Sequence, residues 1–175
     1  MRRALAMDTI DRLIQAFGAQ ARSAVVARLD ILMDLERLED PRVAPFLVQV
    51  LGDQHESTDV RVHVLKQLRT AGVATATREL VTEAMLRILS DSACSGLRLE
   101  AAVALGEFVD VPGVPAALGR LARDVALPID LRYSAFISLE RAGPTAESVA
   151  LLRQLETDEL LGRSAQSTLA AWHLA

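Results

Sequence analysis

One cysteine in 175 residues allows no internal disulfide and no cysteine cage for a metal, a usage that fits a reducing compartment. The net charge is −4 and the pI near 5.4, so the field of the whole molecule does not gather phosphate backbones, and only a local basic stripe can serve an anionic partner. With 51% hydrophobic but only 3% aromatic residues, the composition suits closely packed helices of Leu, Val and Ala and offers little for base stacking.

The leader MRRALA carries two arginines and reaches Asp8 before any apolar stretch of signal-peptide length, and no run of roughly 18 apolar residues occurs, so a cytoplasmic protein without a membrane span is expected. Either Met1 or Met7 can be its start. Ile10, Leu13, Ile14 and Phe17 then recur at helical spacing, which predicts an N-terminal cap helix over 8–18, opened by Asp8 or Thr9 and closed by Gly18.

From residue 21 to residue 158 one phrase recurs. An Arg is followed three residues later by an aliphatic or Ala position and seven residues later by Leu, in Arg28/Ile31/Leu35, Arg61/Val64/Leu68, Arg98/Ala101/Leu105 and Arg132/Ala135/Leu139. The arginines stand 33, 37 and 34 residues apart. Self-similarity at such a period marks stacked repeats, each a helical hairpin that buries its apolar face only against its neighbours. The best-formed copy puts Leu97, Ala101, Ala104, Leu105 and Phe108 on one stripe of a first helix, with Arg98, Glu100 and Glu107 off it. The Pro112 and Pro115 segment breaks that helix. A second helix follows with Val114, Leu118 and Leu121 on one face and Asp110 as its expected cap.

Two kinds of break alternate along the chain. Asp40-Pro41 through Pro45 matches Asp110 through Pro115, whereas the segments ending at Gly72 and Gly143 place a glycine just past a helix end as a left-handed cap. No break is long or Gly/Ser-rich enough to be a linker, so a single domain over 1–175 is expected, with four hairpins at 21–158. Over 159–175, Leu161, Ala165, Leu169 and Trp172 repeat the first-helix stripe, which predicts a terminal half-repeat. The expected fold is all-α, an α-solenoid of stacked antiparallel helical hairpins.

These residues resemble HEAT repeats, of the short bacterial type also found in phycobilisome lyases. The third copy, Asp91 through Asp124, carries the family pattern most fully: an Asp closing one hairpin, then Leu-Arg, Ala, Leu-Gly, and a Val-Pro before the second helix. The resemblance covers roughly residues 21 to 158 and implies a HEAT-like superhelix. It also implies a polar ladder between neighbouring repeats made by Asp53, Asp91 and Asp124 with Arg61, Arg98 and Arg132. Gly162 stands where the fifth copy should carry Arg, so the ladder ends there.

The sequence offers no catalytic constellation and no cofactor. His55, His63 and His173 lack i,i+4 partners or nearby cysteines and do not form a zinc set, and Cys94 has no basic neighbour in sequence to activate it. The acidic pairs Glu36/Glu39 and Glu156/Asp158 read as solvated helix ends. What remains is the face of the second helices, where Gln49, Arg87, Arg120 and Gln154 each lie four residues before the position that closes the helix. Glu83, Arg123 and Arg153 flank this row, and arginines there suit bidentate pairing with carboxylates.

The leading expectation is a non-catalytic protein-interaction scaffold or adaptor that binds an acidic peptide or partner helix on that face. The alternative is a chromophore attachment factor or chaperone like the phycobilin lyases, suggested by the repeat subtype. A nucleic-acid-binding HEAT-like protein, as among the alkylpurine glycosylases, is the third reading, and the net charge and scarce aromatics weigh against it. The C-terminal end, with Trp172 as anchor, offers a second surface through which two copies can pair.

Overall fold

A computed structural model describes residues 8–70, 75–90 and 94–173, with backbone alone at 75 and 76. Among the described residues the chain forms ten helices and no strand. They are α1 (Thr9–Ala19), α2 (Val25–Glu36), α3 (Val43–Gly52), α4 (Thr58–Thr70), α5 (Thr75–Ser90), α6 (Ser95–Leu105), α7 (Val114–Arg123), α8 (Ile129–Glu140), α9 (Ala146–Arg153) and α10 (Gly162–Ala171). The helices pack sequentially, against the next in the chain or the next but one. The chain divides into two compact units, the first ending at Val81 and the second beginning at Thr82, so the boundary runs through α5.

In the first unit, α1 packs on α2, α3 on α4, and α2 on α4. Asp8 caps α1 by accepting the Asp11 amide at 2.9 Å, as its sequence position predicts. Gly18 does not close that helix. It lies inside the last turn, and extended backbone at Gln20 makes the stop. Phe17 is buried edge-on to Phe46 with ring centroids 5.3 Å apart, and Leu32, Leu35, Leu47, Leu51, Leu65 and Leu68 fill the interior around them. Each buried leucine contributes about 1.5–3 kcal/mol relative to exposure, so the stripe at i, i+3 and i+4 is what holds helices this short.

In the second unit, α6 packs on α8, α7 on both α8 and α9, and α9 on α10. Leu97, Ala101, Ala104, Leu105 and Phe108 are all buried, as their spacing requires. The turn into α7 differs from expectation, because its N-cap is Gly113 and not Asp110. Gly113 has φ 87°, a backbone state that an L side chain resists, and Pro115 follows in the first turn, where its missing amide is harmless. Gly143 past the end of α8 is left-handed too, at φ 67°, as its position predicts, whereas Gly72 lies outside the described residues. Thr145 then opens α9 by accepting the Ser148 amide at 3.1 Å. Leu161, Ala165 and Leu169 are buried, and Trp172 is half-buried at the C-cap of α10.

No described helix is long and apolar enough to cross a membrane.

Candidate functional site

The recurrent arginine has one structural job that repeats. From the first turn of its helix, its Nε donates to a carbonyl in the last turn of the preceding helix: Arg61 to Leu51 at 2.9 Å, Arg98 to Leu89 at 3.0 Å and Arg132 to Ala122 at 2.9 Å. The carbonyls of a helix's last turn have no partner within the helix, so each arginine meets an acceptor that burial would otherwise leave unpaired. Arg28 does the same with another nitrogen, its Nη1 donating to Phe17 and Gln20 at 3.0 Å each while the guanidinium lies 3.8 Å above the Phe17 ring.

The aspartates of the expected ladder have a different partner. Asp53 accepts the His55 amide at 2.9 Å and Asp124 the Ala126 amide at 3.1 Å, each folding the chain just past the second helix of its hairpin. Asp158 does the same for Leu160 and Leu161, at 3.0 and 2.9 Å. Asp91 lies outside the described residues. Asp53 takes its charge partner from Arg22 at 2.7 Å, and this hydrogen bond holds its carboxyl below the ordinary range.

Two arginines reach a carboxylate farther along the chain. Arg28 pairs through Nη2 with Glu56, both buried, and Arg132 pairs through Nη2 with Asp158, whose side chains are 4% and 10% exposed. Burial works against the Asp158 charge. The amides of Leu161 and Leu160 and the Arg132 guanidinium outweigh it and keep that carboxyl below its usual value. Glu56 and Arg22 are not legible as partners in the sequence, because nothing local distinguishes them from solvated charges. The only available signal is position, Glu56 standing 28 residues beyond its arginine and Asp158 standing 26 beyond its own.

Of the second-helix row, Gln49 is exposed on α3 in the first unit. In the second unit Arg87, Arg120, Arg123 and Arg153 are exposed on α5, α7 and α9, and Gln154 caps α9. The structure joins Arg123 to Gln154 by a direct hydrogen bond. Arg87 is offset by Glu83 one turn earlier at 2.5 Å, so the positive character of this face falls on α7. There a cleft of about 470 Å³ is bounded by α5, α6 and α7 and by the segment after α7. Arg98, Arg120 and Asp124 line it with Leu86, Leu121 and Leu127, all three leucines half-buried. Among the described residues neither Arg98 nor Arg120 forms an ion pair.

A second surface is unmarked by the repeat phrase. Ile129, Tyr133 and Ile137 occupy every fourth position of α8 and are exposed, while Leu131, Ala135, Phe136 and Leu139 on its other side are buried. The helix is apolar on both faces, which hides the outer stripe from an argument based on amphipathicity. Tyr133 lies stacked against Phe136 with centroids 6.2 Å apart. At the C-terminal end Leu160 is 59% exposed beside buried Leu161.

Among the described residues no group of three or more His, Cys, Asp or Glu side chains is arranged to hold a metal ion. Among the described residues the cleft offers two guanidinium groups, one carboxylate and leucine surface, a combination chemically able to hold an anionic, partly aliphatic segment. No known protein family matches the chain, and no curated protein matches it in sequence.

Proposed function

We propose that this chain is a non-catalytic protein-interaction module of HEAT-like repeats, of the α-solenoid class, whose second-helix face binds an acidic peptide or helix of a partner protein. The repeat reading is supported by bonds that recur in register: an arginine Nε on the end of the preceding helix in three copies, and an aspartate that folds the chain past the second helix, also in three. The observation that carries the function is the cleft beside α7, where Arg98 and Arg120 stand over leucine surface on a molecule that is acidic as a whole. Guanidinium pairs with carboxylate through two parallel bonds, and leucine surface adds area that water leaves readily.

Affinity capture from the native host, with the wild type and with an Arg87→Glu/Arg120→Glu variant, tests the reading. A defined protein partner held by the wild type and lost by the variant is expected. A partner retained equally by both overturns the assignment to this face.

A further inference from the structure

We propose that the cleft bounded by α5, α6 and α7 binds the carboxylate of an acidic side chain from a partner protein, with an aliphatic neighbour of that side chain seated on the cleft's leucines. This rests on the interaction reading above and narrows it to one site and one chemistry.

Arg28 and Arg132 each use one nitrogen on the end of the preceding helix and turn Nη2 onto a carboxylate of their own chain, Glu56 or Asp158. Arg98 holds the same place in its helix and makes the same first bond, to Leu89 at 3.0 Å. The residue 26 positions beyond it is Asp124, just as Asp158 stands 26 beyond Arg132. Yet that pair is not made: the Asp124 carboxylate accepts the Ala126 amide, and among the described residues Arg98 has no ion-pair partner. Arg98 and Asp124 instead line the cleft, with Arg120 beside them.

Among the described residues that line the cleft, two guanidinium groups stand against one carboxylate, a charge balance that favours an anion. Arg98 is half-buried and already fixed by its bond to Leu89, so holding a ligand demands little further ordering of that side chain. Leu86, Leu121 and Leu127 expose part of their surface to the same cleft. A segment with Glu or Asp next to an aliphatic residue satisfies both kinds of surface at once. The carboxylate would stand to Arg98 as Asp158 stands to Arg132.

The test is an NMR titration of the full chain, labelled with ¹⁵N, using the capped dipeptide N-acetyl-Leu-Glu-amide. Saturable shifts are expected at the Arg98 Nε–H and at the amides of Leu86, Arg120 and Leu121, with the Arg132 Nε–H unmoved because its carboxylate is already supplied. Binding of the Leu-Gln counterpart, or of the Leu-Glu probe to Arg120→Gln, should be about tenfold weaker, the loss of one charge-assisted contact. Equal binding of the Leu-Gln probe, or parallel shifts at Arg98 and Arg132, overturns the proposal. Inorganic phosphate binding more tightly than the dipeptide overturns the carboxylate assignment. Tighter dipeptide binding by Asp91→Asn would show that the chain provides its own carboxylate, and would overturn the proposal as well. A dipeptide that fails to bind while partner capture persists refutes this site alone. A dipeptide that binds while no partner is captured supports the site and counts against the interaction reading.

Discussion

Replacing Arg132 by Met keeps a stem of similar length and removes every donor of the guanidinium, so the change isolates its polar bonds from its packing. Two acceptors lose their partner. The Ala122 carbonyl, on a fully buried residue, loses a bond of 2.9 Å, which costs about 1–3 kcal/mol. The Asp158 side chain, 10% exposed, loses its cation, and breaking a buried pair by one partner costs about 3–5 kcal/mol when nothing else holds the survivor. Leu160 and Leu161 still donate to that carboxylate, which reduces the second loss, so a total of about 3–5 kcal/mol is expected. Among the described residues, Arg98→Met breaks the bond to Leu89 alone, for about 1–3 kcal/mol. The gap of about 2 kcal/mol corresponds to roughly 1 M in the urea midpoint at an ordinary slope. Midpoints that coincide, or an Arg98 variant less stable than the Arg132 one, would refute the distinction drawn between the two arginines.

Gly162→Ala should lower the melting temperature even though Ala is the better helix former by about 1 kcal/mol, because its Cβ would lie 2.5 Å from the Glu156 carbonyl oxygen. A rise in the melting temperature contradicts that close approach. Hydrogen bonding from Arg42 brings the Asp40 carboxyl down to about 2 from 3.8, so its contribution is complete above the ordinary value and is lost as the pH falls through about 2. Melts of the wild type and Asp40→Asn should therefore converge over that interval, and a gap that stays constant removes Asp40 from the account. With Leu161, Ala165 and Leu169 already buried, sedimentation of Trp172→Ala should match the wild type; self-association that disappears on mutation would instead assign the C-terminal end as an interface between two copies.

Helix positions and most of their stripes were legible in the sequence because the 3.6-residue period and the Pro and Gly breaks are local signals. Arg61, Arg98 and Arg132 were legible as structural residues for the same reason, since they recur beside core positions. Their partners were not. A backbone carbonyl such as that of Leu51 carries no residue-type signal, and the carboxylates that close two of the sets stand at different offsets from their arginines, Glu56 at 28 and Asp158 at 26. Arg120 is exposed on α7, and Arg98 and Asp124 line the cleft beside it without the pairing that Arg132 and Asp158 make. That difference is a matter of side-chain geometry between identical residue types, which no spacing rule reveals.

The aspartates that close α3 and α7 sit where the helix dipole is negative, and alone they would be electrostatically misplaced. An arginine from the following helix places its cation at the same point, on Leu51 in one case and Ala122 in the other. A carbonyl that the last turn of each helix leaves open is thus satisfied from outside the helix, by the element that comes next. The exposed side chains of Gln49 and Arg120 take part in neither that bond nor the aspartate turn, so they can change without disturbing how the helix ends. Substitution at such positions can change the charge that the surface presents while the junctions between successive helices stay as they are.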